Sequence, residues 1–213
     1  MTHPILIMGA TSGIGAKAVE EALSRGLTVR GFARTAGTME AGEGLEAWKG
    51  DALSPEDVRA AVSGVRAVVY ALGIKERLAM LWEEETLFSQ STRVLIDAME
   101  DVGPKRLVVV TGFGAGRSRQ AMSTLESIGH KAFLGRPYAD KDRQEEMILQ
   151  SDLDWTIARP VILTNNTKSG KVSVLRDPST WKNGLISRAD TAAYLIDAVE
   201  QDLDIRADVV LRR

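Results

Sequence analysis

Short apolar runs alternate along the chain with segments in which apolar residues recur every three to four positions. The runs have the length of strands that are buried on both faces of a parallel sheet. The segments between them have the length and period of amphipathic helices. The pattern predicts strands at 4–9, 27–34, 45–51, 66–73, 105–112, 154–160 and 207–212, and helices at 14–25, 54–64, around 92–99, 139–150 and 187–201.

This alternation predicts an α/β fold, a doubly wound parallel sheet (Rossmann fold) with right-handed crossovers. Two poorly patterned stretches, 112–137 and 164–184, both follow predicted strands. They therefore fall at the carboxyl edge of the sheet, where such folds bind ligands. We expect residues 1–213 to form one domain in which these two stretches make a small substrate cap.

Composition narrows the class of protein. The 213 residues are 44% hydrophobic, with a formal net charge of −2 and no cysteine. This is enough apolar material for one core, and it gives no bulk attraction to nucleic acid or to an acidic membrane. The absence of cysteine excludes disulfides and thiolate chemistry, and no His/Asp/Glu spacing suggests a metal. No apolar run approaches the roughly 20 residues that span a bilayer.

These features, with an N-terminus unlike a signal peptide, predict a cytoplasmic protein. We expect a small-molecule substrate, no nucleic-acid or membrane partner, and a monomer or a small homo-oligomer.

Three glycines stand between the first predicted strand and the first predicted helix, in "ILIMGATSGIG". Gly9 permits a tight turn, Gly13 allows close approach of a pyrophosphate, and Gly15 lets helix pack on strand. Backbone N–H groups at such a helix start bind anions. An ordinary strand-to-helix turn is the alternative, and a kinase-type P-loop is excluded because no Gly-Lys-Ser/Thr is present. The setting predicts a dinucleotide site formed by Gly9, Thr11, Ser12, Gly13, Ile14 and Gly15.

The glycine turn together with "SDLDWTIARP" resembles the short-chain dehydrogenase/reductase superfamily. The resemblance is to its small atypical branch of biliverdin reductase B/flavin reductase-like proteins, related to the NmrA-like and epimerase/dehydratase groups. It extends over nearly the whole chain through "GFAR", "VVYALG", "VVVTGFGAG" and "ISRADTAAYLIDAV". The atypical branch usually has glycine at the position of Ser12, whereas the spacing of the glycines is that of the main branch. Either pattern gives an open turn.

Arg34 bears on the choice of cofactor. NAD-binding proteins generally place an acidic residue at the end of the second strand to hold the ribose hydroxyls. Here that position reads Gly-Phe-Ala-Arg, without an acid. An arginine can pair with a 2′-phosphate in a bidentate way. We expect NADP in preference to NAD, a solvated surface arginine being the alternative.

The resemblance implies further cofactor contacts. Asp51 matches the residue that contacts adenine, although it is also placed to cap the helix that follows. A small-residue turn after the fourth strand lets the cofactor cross the sheet edge, and the end of the sixth predicted strand lies beside the nicotinamide. The residues implied are Asp51, Ala52, Ala71, Leu72, Gly73, Pro160 and Ile162.

The catalytic residues of the main branch are only partly matched. That branch uses a serine after the fifth strand and a tyrosine four residues before a lysine, the tyrosine acting as proton donor. Thr111 stands at the serine position and Lys141 at the lysine position, whereas Pro137 occupies the tyrosine position. Tyr138 follows one place later. We expect Lys141 to bind ribose and Tyr138, a proton-donor candidate, to pack as an aromatic at a helix start.

Five basic residues fall in the first cap stretch: Arg117, Arg119, His130, Lys131 and Arg136. They attract a phosphorylated or carboxylated acceptor, or they belong to a solvated loop.

The resemblance implies an NAD(P)H-dependent oxidoreductase that transfers hydride from NADPH to a flavin-like or small carbonyl acceptor. A flavin accepts hydride without a dedicated strong acid, so the missing tyrosine does not exclude reduction. A non-catalytic NAD(P)-binding sensor of NmrA type is the alternative, and an epimerase or dehydratase is a weaker one.

Overall fold

The computed structural model describes residues 3–39, 42–73, 86–122 and 138–213. Within these ranges every predicted strand and helix is present. The strands are β1 Ile5–Met8, β2 Val29–Ala33, β3 Leu45–Lys49, β4 Ala67–Tyr70, β5 Arg106–Val110, β6 Asp154–Pro160, β7 Ile162–Thr164, β8 Ser173–Leu175, β9 Leu185–Ser187 and β10 Ala207–Arg212. The helices are α1 Gly13–Ser24, α2 Pro55–Val62, α3 Leu87–Val102, α4 over 138–150 and α5 Arg188–Glu200.

Eight strands form one sheet in the order β3-β2-β1-β4-β5-β6-β10-β8. All neighbouring pairs in this sheet are parallel except β10 and β8. The order reverses between β1 and β4, so the glycine turn after β1 lies at the switch point where doubly wound sheets bind ligands. The predicted fold class is confirmed.

The two faces of the sheet explain why its central strands are apolar without alternation. Ile5 and Ile7 of β1 pack in the same cluster as α1 and α5. Leu6 and Met8 pack in the cluster that contains α2 and α3. All four side chains are fully buried, because helices cover both faces of a parallel sheet.

Asp190 ties the start of α5 to the second predicted cap stretch. The Ser187 hydroxyl accepts a hydrogen bond from the Asp190 backbone N–H at 2.9 Å, as the predicted helix start requires. The buried Asp190 carboxylate accepts from the backbone N–H groups of Ser169 and Gly170 at 2.8 and 2.9 Å. This anchors the loop around residue 170 next to the first turn of α5.

The two predicted cap stretches are not alike. In 112–137 the described part contains a short 3-10 turn, Gly116–Ala121, and residues 123–137 lie outside the described residues. In 164–184, Ser173–Leu175 joins the main sheet as its edge strand β8, so this stretch is partly sheet. The sequence missed β7, β8 and β9 because three residues are too few to show a period of two.

Candidate cofactor and active site

A cavity of about 280 Å³ opens at the carboxyl ends of β1, β4, β5 and β6. Nine of the predicted site residues line it: Ser12, Gly13, Ile14, Ala71, Leu72, Gly73, Thr111, Lys141 and Pro160. Val110, Leu163 and Arg188 complete the lining. Residues from six separate segments of the chain therefore meet at one edge of the sheet.

The three glycines of the turn have three different surroundings. Gly9 has a φ of +84°, and a Cβ there would lie 2.6 Å from the carbonyl oxygen of Ala71. A Cβ on Gly15 would overlap the carbonyl oxygen of Gly9. Gly13 has a φ of +59°, and a Cβ there would have no atom within 4 Å. Gly9 and Gly15 are thus needed for packing, whereas Gly13 leaves open space in front of the helix.

The amino end of α1 has the properties of an anion site. Its Ncap residue Ser12 makes no side-chain capping bond, and the first turn contains no acidic residue. First-turn N–H groups that lack a side-chain partner carry the positive end of the helix dipole. Together with the empty space at Gly13, this cradle fits the pyrophosphate of a dinucleotide.

Arg34 follows β2 directly and is exposed. Within the described residues it has no ion pair. The hydroxyls of Thr11 and Thr35 lie 3.1 Å apart beside it. These three side chains lie outside the lining of the cavity. A guanidinium and hydroxyls are the kinds of donor that a 2′-phosphate needs.

Asp51 is exposed and lies after β3. Its carboxylate accepts a hydrogen bond from the Leu53 N–H at 3.0 Å. The α2 cap is Ser54, whose hydroxyl accepts from the Asp57 N–H at 3.3 Å. Asp51 therefore stabilises the turn before the helix and does not cap the helix itself. Ala52 beside it is buried.

The Thr111 hydroxyl belongs to a buried network of charges. It donates to the Glu145 carboxylate at 2.7 Å, and the same carboxylate accepts from Nε and Nη2 of Arg159 at 3.0 and 2.6 Å. Arg159 also pairs with Asp208, and all these side chains are at least nine-tenths buried. Because an ionised carboxylate only accepts, the Thr111 proton points to Glu145. Thr111 therefore offers a ligand its oxygen lone pairs.

Lys141 reaches the same point from α4. Its Nζ donates to the carbonyl oxygen of Thr111 at 3.0 Å and lies 4.2 Å from the centre of the Phe88 ring. Burial lowers the pKa of Lys141 to about 8, against the opposing attraction of Glu145 and Asp140. The ammonium is thus fixed at the cavity wall and loses its proton closer to neutrality than an ordinary lysine does.

Tyr138 packs beside the strand end and does not line the cavity. Its hydroxyl oxygen lies 2.8 Å from the place where a Cβ on Gly112 would be, so only glycine fits next to it. Burial raises the pKa of Tyr138 to about 12. Pro137, at the matching tyrosine position, lies outside the described residues.

Ile162 lies outside the lining of this cavity, as do Gly9, Thr11, Gly15, Arg34, Asp51 and Ala52. At the end of β6 the cavity is lined by Pro160 and Leu163, whereas Ile162 is 58% exposed. Ile162 begins β7, where successive side chains point to opposite sides. The match to the family gave the stretch but not which residue of the alternation faces inward.

Two of the basic cap residues are already paired. Arg117 is bound to Asp208, and Arg119 to Asp142. The charge of each guanidinium is therefore already balanced by a carboxylate. His130, Lys131 and Arg136 lie outside the described residues.

Two features were missed from the sequence. Glu145 was not predicted as a site residue, although it holds Thr111 and Arg159 together. Arg188, the first residue of α5, lines the cavity. The sequence does show a basic residue directly after the capping serine of α5. It contains no local signal that this end of the helix faces the cavity.

Neither a metal nor a membrane span emerges from the described part of the chain. No group of three or more histidine or acidic side chains within it is arranged to hold a metal ion. No helix in those same residues has both the length and the apolarity needed to cross a membrane.

Solved structures share this fold over almost the whole chain. ChuY, an anaerobilin reductase from Escherichia coli O157:H7, superposes with a TM-score of 0.80 at 24% identity, covering 98% of this chain and 96% of that one. A wide-type short-chain dehydrogenase/reductase from Veillonella parvula, in complex with NADP, gives a TM-score of 0.83 at 16% identity, covering 100% and 95%.

Two relatives are similar in sequence. An uncharacterized chloroplastic protein of Arabidopsis thaliana is 25% identical over 209 residues, which are 94% of this chain and 73% of that protein. An uncharacterized sugar epimerase of Bacillus subtilis is 27% identical over 150 residues, 70% of this chain. The match spans 63% of that epimerase, less than two thirds of its length.

A family model described as NAD(P)H-binding matches residues 9–202, from the first glycine of the turn to the end of α5 and beyond. This match and the shared fold confirm the resemblance to atypical short-chain dehydrogenases/reductases. The chain belongs to the NAD(P)H-binding family.

Proposed function

We propose that this protein is an NADPH-dependent reductase that transfers a hydride to a flavin-like or small carbonyl acceptor. One observation carries the proposal: the glycine turn, Thr111, Lys141 and Pro160 line one cavity at the switch point of the sheet. In doubly wound folds this is where a dinucleotide meets its substrate.

The cofactor contacts follow from the order of the strands. The turn at Gly13 binds pyrophosphate at the centre of the sheet, and Arg34, at the end of β2, binds the 2′-phosphate on one side. Lys141 binds the ribose on the other side, near the ends of β5 and β6. The bound nicotinamide supplies the hydride. The Veillonella parvula structure, which contains NADP, supports this choice of cofactor.

The acceptor class follows from what the site residues can donate. The Thr111 proton is directed to Glu145, and the raised pKa of Tyr138 makes its phenol a weak acid. A carbonyl acceptor needs a proton on its oxygen as the hydride arrives. A flavin-like ring does not need a dedicated acid, so it is the acceptor that this wall suits better.

A sensor of NmrA type is the second candidate. The same two observations favour it, because a protein that only binds NAD(P) has no use for a proton donor. An epimerase is a weaker alternative, supported by the Bacillus subtilis relative over part of that protein's length.

The deciding experiment measures NADPH and NADH oxidation against a panel of flavins, quinones, tetrapyrroles and aldehydes. We expect turnover with at least one flavin-like or carbonyl acceptor, and a higher kcat/KM with NADPH than with NADH. Tight NADPH binding without turnover on any acceptor would refute the reductase and favour the sensor. The Gly13→Ala protein serves as a control for oxidation that does not depend on the site.

Three further expectations go with this proposal: a small-molecule acceptor, a cytoplasmic location and a monomer or small homo-oligomer. Cell fractionation and light scattering test the last two. Because one relative is chloroplastic, the location is to be measured in the source cell.

A further inference from the structure

Among the residues that the structure describes, the cavity is lined by two cationic side chains, Lys141 and Arg188, and by no acidic one. The other lining residues are small, apolar or hydroxyl-bearing. Lys141 is already engaged with the Thr111 carbonyl oxygen and the Phe88 ring. Arg188 is therefore the cation at this wall that has donors to spare.

The position of Arg188 is fixed by its neighbours. Its Nη1 donates to Oδ1 of Asn165 at 2.8 Å. Asn165 follows β7 directly, and β7 pairs with β9, which leads into Arg188. The guanidinium is thus held beside Leu163, at the end of the two-stranded sheet.

No carboxylate among the described residues forms an ion pair with Arg188. The nearest acid in sequence, Asp190, is occupied by Ser187, Ser169 and Gly170. A guanidinium has five N–H donors in a fixed fork, of which the Asn165 amide uses one. A half-buried arginine with this arrangement is suited to a bidentate bond with an oxyanion.

Two sources of such an oxyanion reach this wall. The cavity also contains Ser12 and Gly13, so the cofactor pyrophosphate is one source. The other is the acceptor. Arg188 lines the cavity together with Pro160 and Leu163, on the β6 side of the switch point and opposite to Arg34 and Asp51. In the binding mode proposed above, this is the end where the reacting ring and the acceptor lie, whereas α1 alone already offers its N–H groups to the pyrophosphate.

We propose that Arg188 binds a carboxylate or phosphate group of the acceptor, and that the natural acceptor is therefore an anion. This inference rests on the proposed function, because only a reductase has a hydride acceptor. The anion site itself can be tested by binding measurements alone. It also differs from the sequence expectation, in which the basic cap residues attract the anion, because Arg117 and Arg119 are paired elsewhere.

The test uses pairs of probes that differ only in the anionic group. FMN and riboflavin share one ring system, and 4-carboxybenzaldehyde and benzaldehyde share one carbonyl. Dissociation constants are measured on the full chain saturated with NADP⁺. The variants are Arg188→Gln, which keeps the length and removes the charge, and Arg188→Lys, which keeps the charge. Arg66→Gln is the matched control, because Arg66 is exposed and precedes β4 at the opposite edge of the sheet.

We expect the unmutated protein to prefer the anionic member of at least one pair. In that pair Arg188→Gln should weaken the anionic probe at least tenfold and the neutral probe less than twofold. Arg188→Lys should restore part of the preference, and Arg66→Gln should leave both constants unchanged. NADPH affinity should stay within twofold in Arg188→Gln.

Three results would overturn the proposal. The first is that the unmutated protein prefers the anionic member in neither pair. The second is that Arg188→Gln weakens the binding of anionic and neutral probes equally. A large loss of NADPH affinity in Arg188→Gln would instead assign Arg188 to the pyrophosphate. If the binding preference depends on Arg188 but no acceptor is reduced, the proposed function fails and the anion site stands.

Discussion

The substitution Gly13→Ala tests whether Gly13 is needed for cofactor binding or for the stability of the fold. Gly13 has a φ of +59° and empty space where a Cβ would point, at the cavity wall. A left-handed backbone costs a residue other than glycine about 1–2 kcal/mol. The loss of chain freedom in the unfolded state returns about 0.4–1 kcal/mol. We expect the substitution to destabilise the protein by about 1 kcal/mol, or roughly 2–4 °C in Tm for a chain of this size.

The substitution should also weaken NADPH binding, for a reason that is separate from this strain. The added methyl group stands in front of the free N–H groups at the start of α1, where a phosphate oxygen must approach to hydrogen-bond distance. We expect a loss of more than tenfold in affinity, that is, more than about 1.4 kcal/mol. Calorimetric titration with NADPH measures the affinity, and thermal unfolding without ligand measures the stability.

Gly64→Ala is the matched control. Gly64 has a φ of +73° and also no atom within 4 Å of an added Cβ, but it lies between α2 and β4 at the amino edge of the sheet. Its substitution should lower Tm by a similar amount and leave NADPH affinity unchanged. If Gly13→Ala unfolds like Gly64→Ala and binds NADPH within twofold of the unmutated protein, the turn is an ordinary one and the assignment fails.

Four other outcomes can be measured. Arg34→Ala should weaken NADPH by about 1.5–3 kcal/mol with NADH almost unaffected, and equal affinities of the unmutated protein for both cofactors would contradict this. Lys141→Met should weaken NADPH but stabilise the free protein at pH 7 by up to about 3 kcal/mol, because burial lowers the pKa of Lys141 to about 8. Between pH 8 and 10.5 the unfolded chain still holds this proton, so the unmutated protein gains stability as the pH rises. Urea titrations should therefore show that the difference in the free energy of unfolding between the variant and the unmutated protein shrinks over this range. Tyr138→Phe should change single-turnover reduction of a flavin by only a few-fold, whereas loss of a true general acid slows the step by about 10²–10⁴. Glu145→Gln should cost about 3–5 kcal/mol in chemical unfolding, since it breaks a buried pair with Arg159, and a loss below 1 kcal/mol would count against that network.

The sequence predicted the central sheet well because the signals there are local. A strand buried on both faces is an apolar run, and the start of a helix has its cap within four residues. Ser54 and Ser187 both cap the helices that follow them, and each is the first residue of a predicted helix range. The same local character made the turn at Gly9–Gly15 readable, since its strand and helix adjoin it.

The side-chain partners were not readable because they are set by contacts over long distances in the chain. Thr111 meets Glu145 over 34 positions, and Arg117 meets Asp208 over 91. No periodicity encodes such a pair. That Leu163 and not Ile162 lines the cavity could not be predicted for another reason. A shift of one residue reverses the side of a strand that faces the site, and a three-residue strand gives no pattern to fix it.

The buried network and the cavity wall together bear on the chemistry. To donate its proton to a ligand, the Thr111 hydroxyl would have to turn away from Glu145. The buried carboxylate would then have one hydrogen bond fewer. That loss is expensive for a charged group in a protein interior. Lys141 is then the lining residue that titrates closest to neutrality, since burial lowers its pKa to about 8. In the reductase that we propose, protonation would be left to Lys141 or to water, and this suits an acceptor that stores the hydride in a conjugated ring better than one that must become an alkoxide.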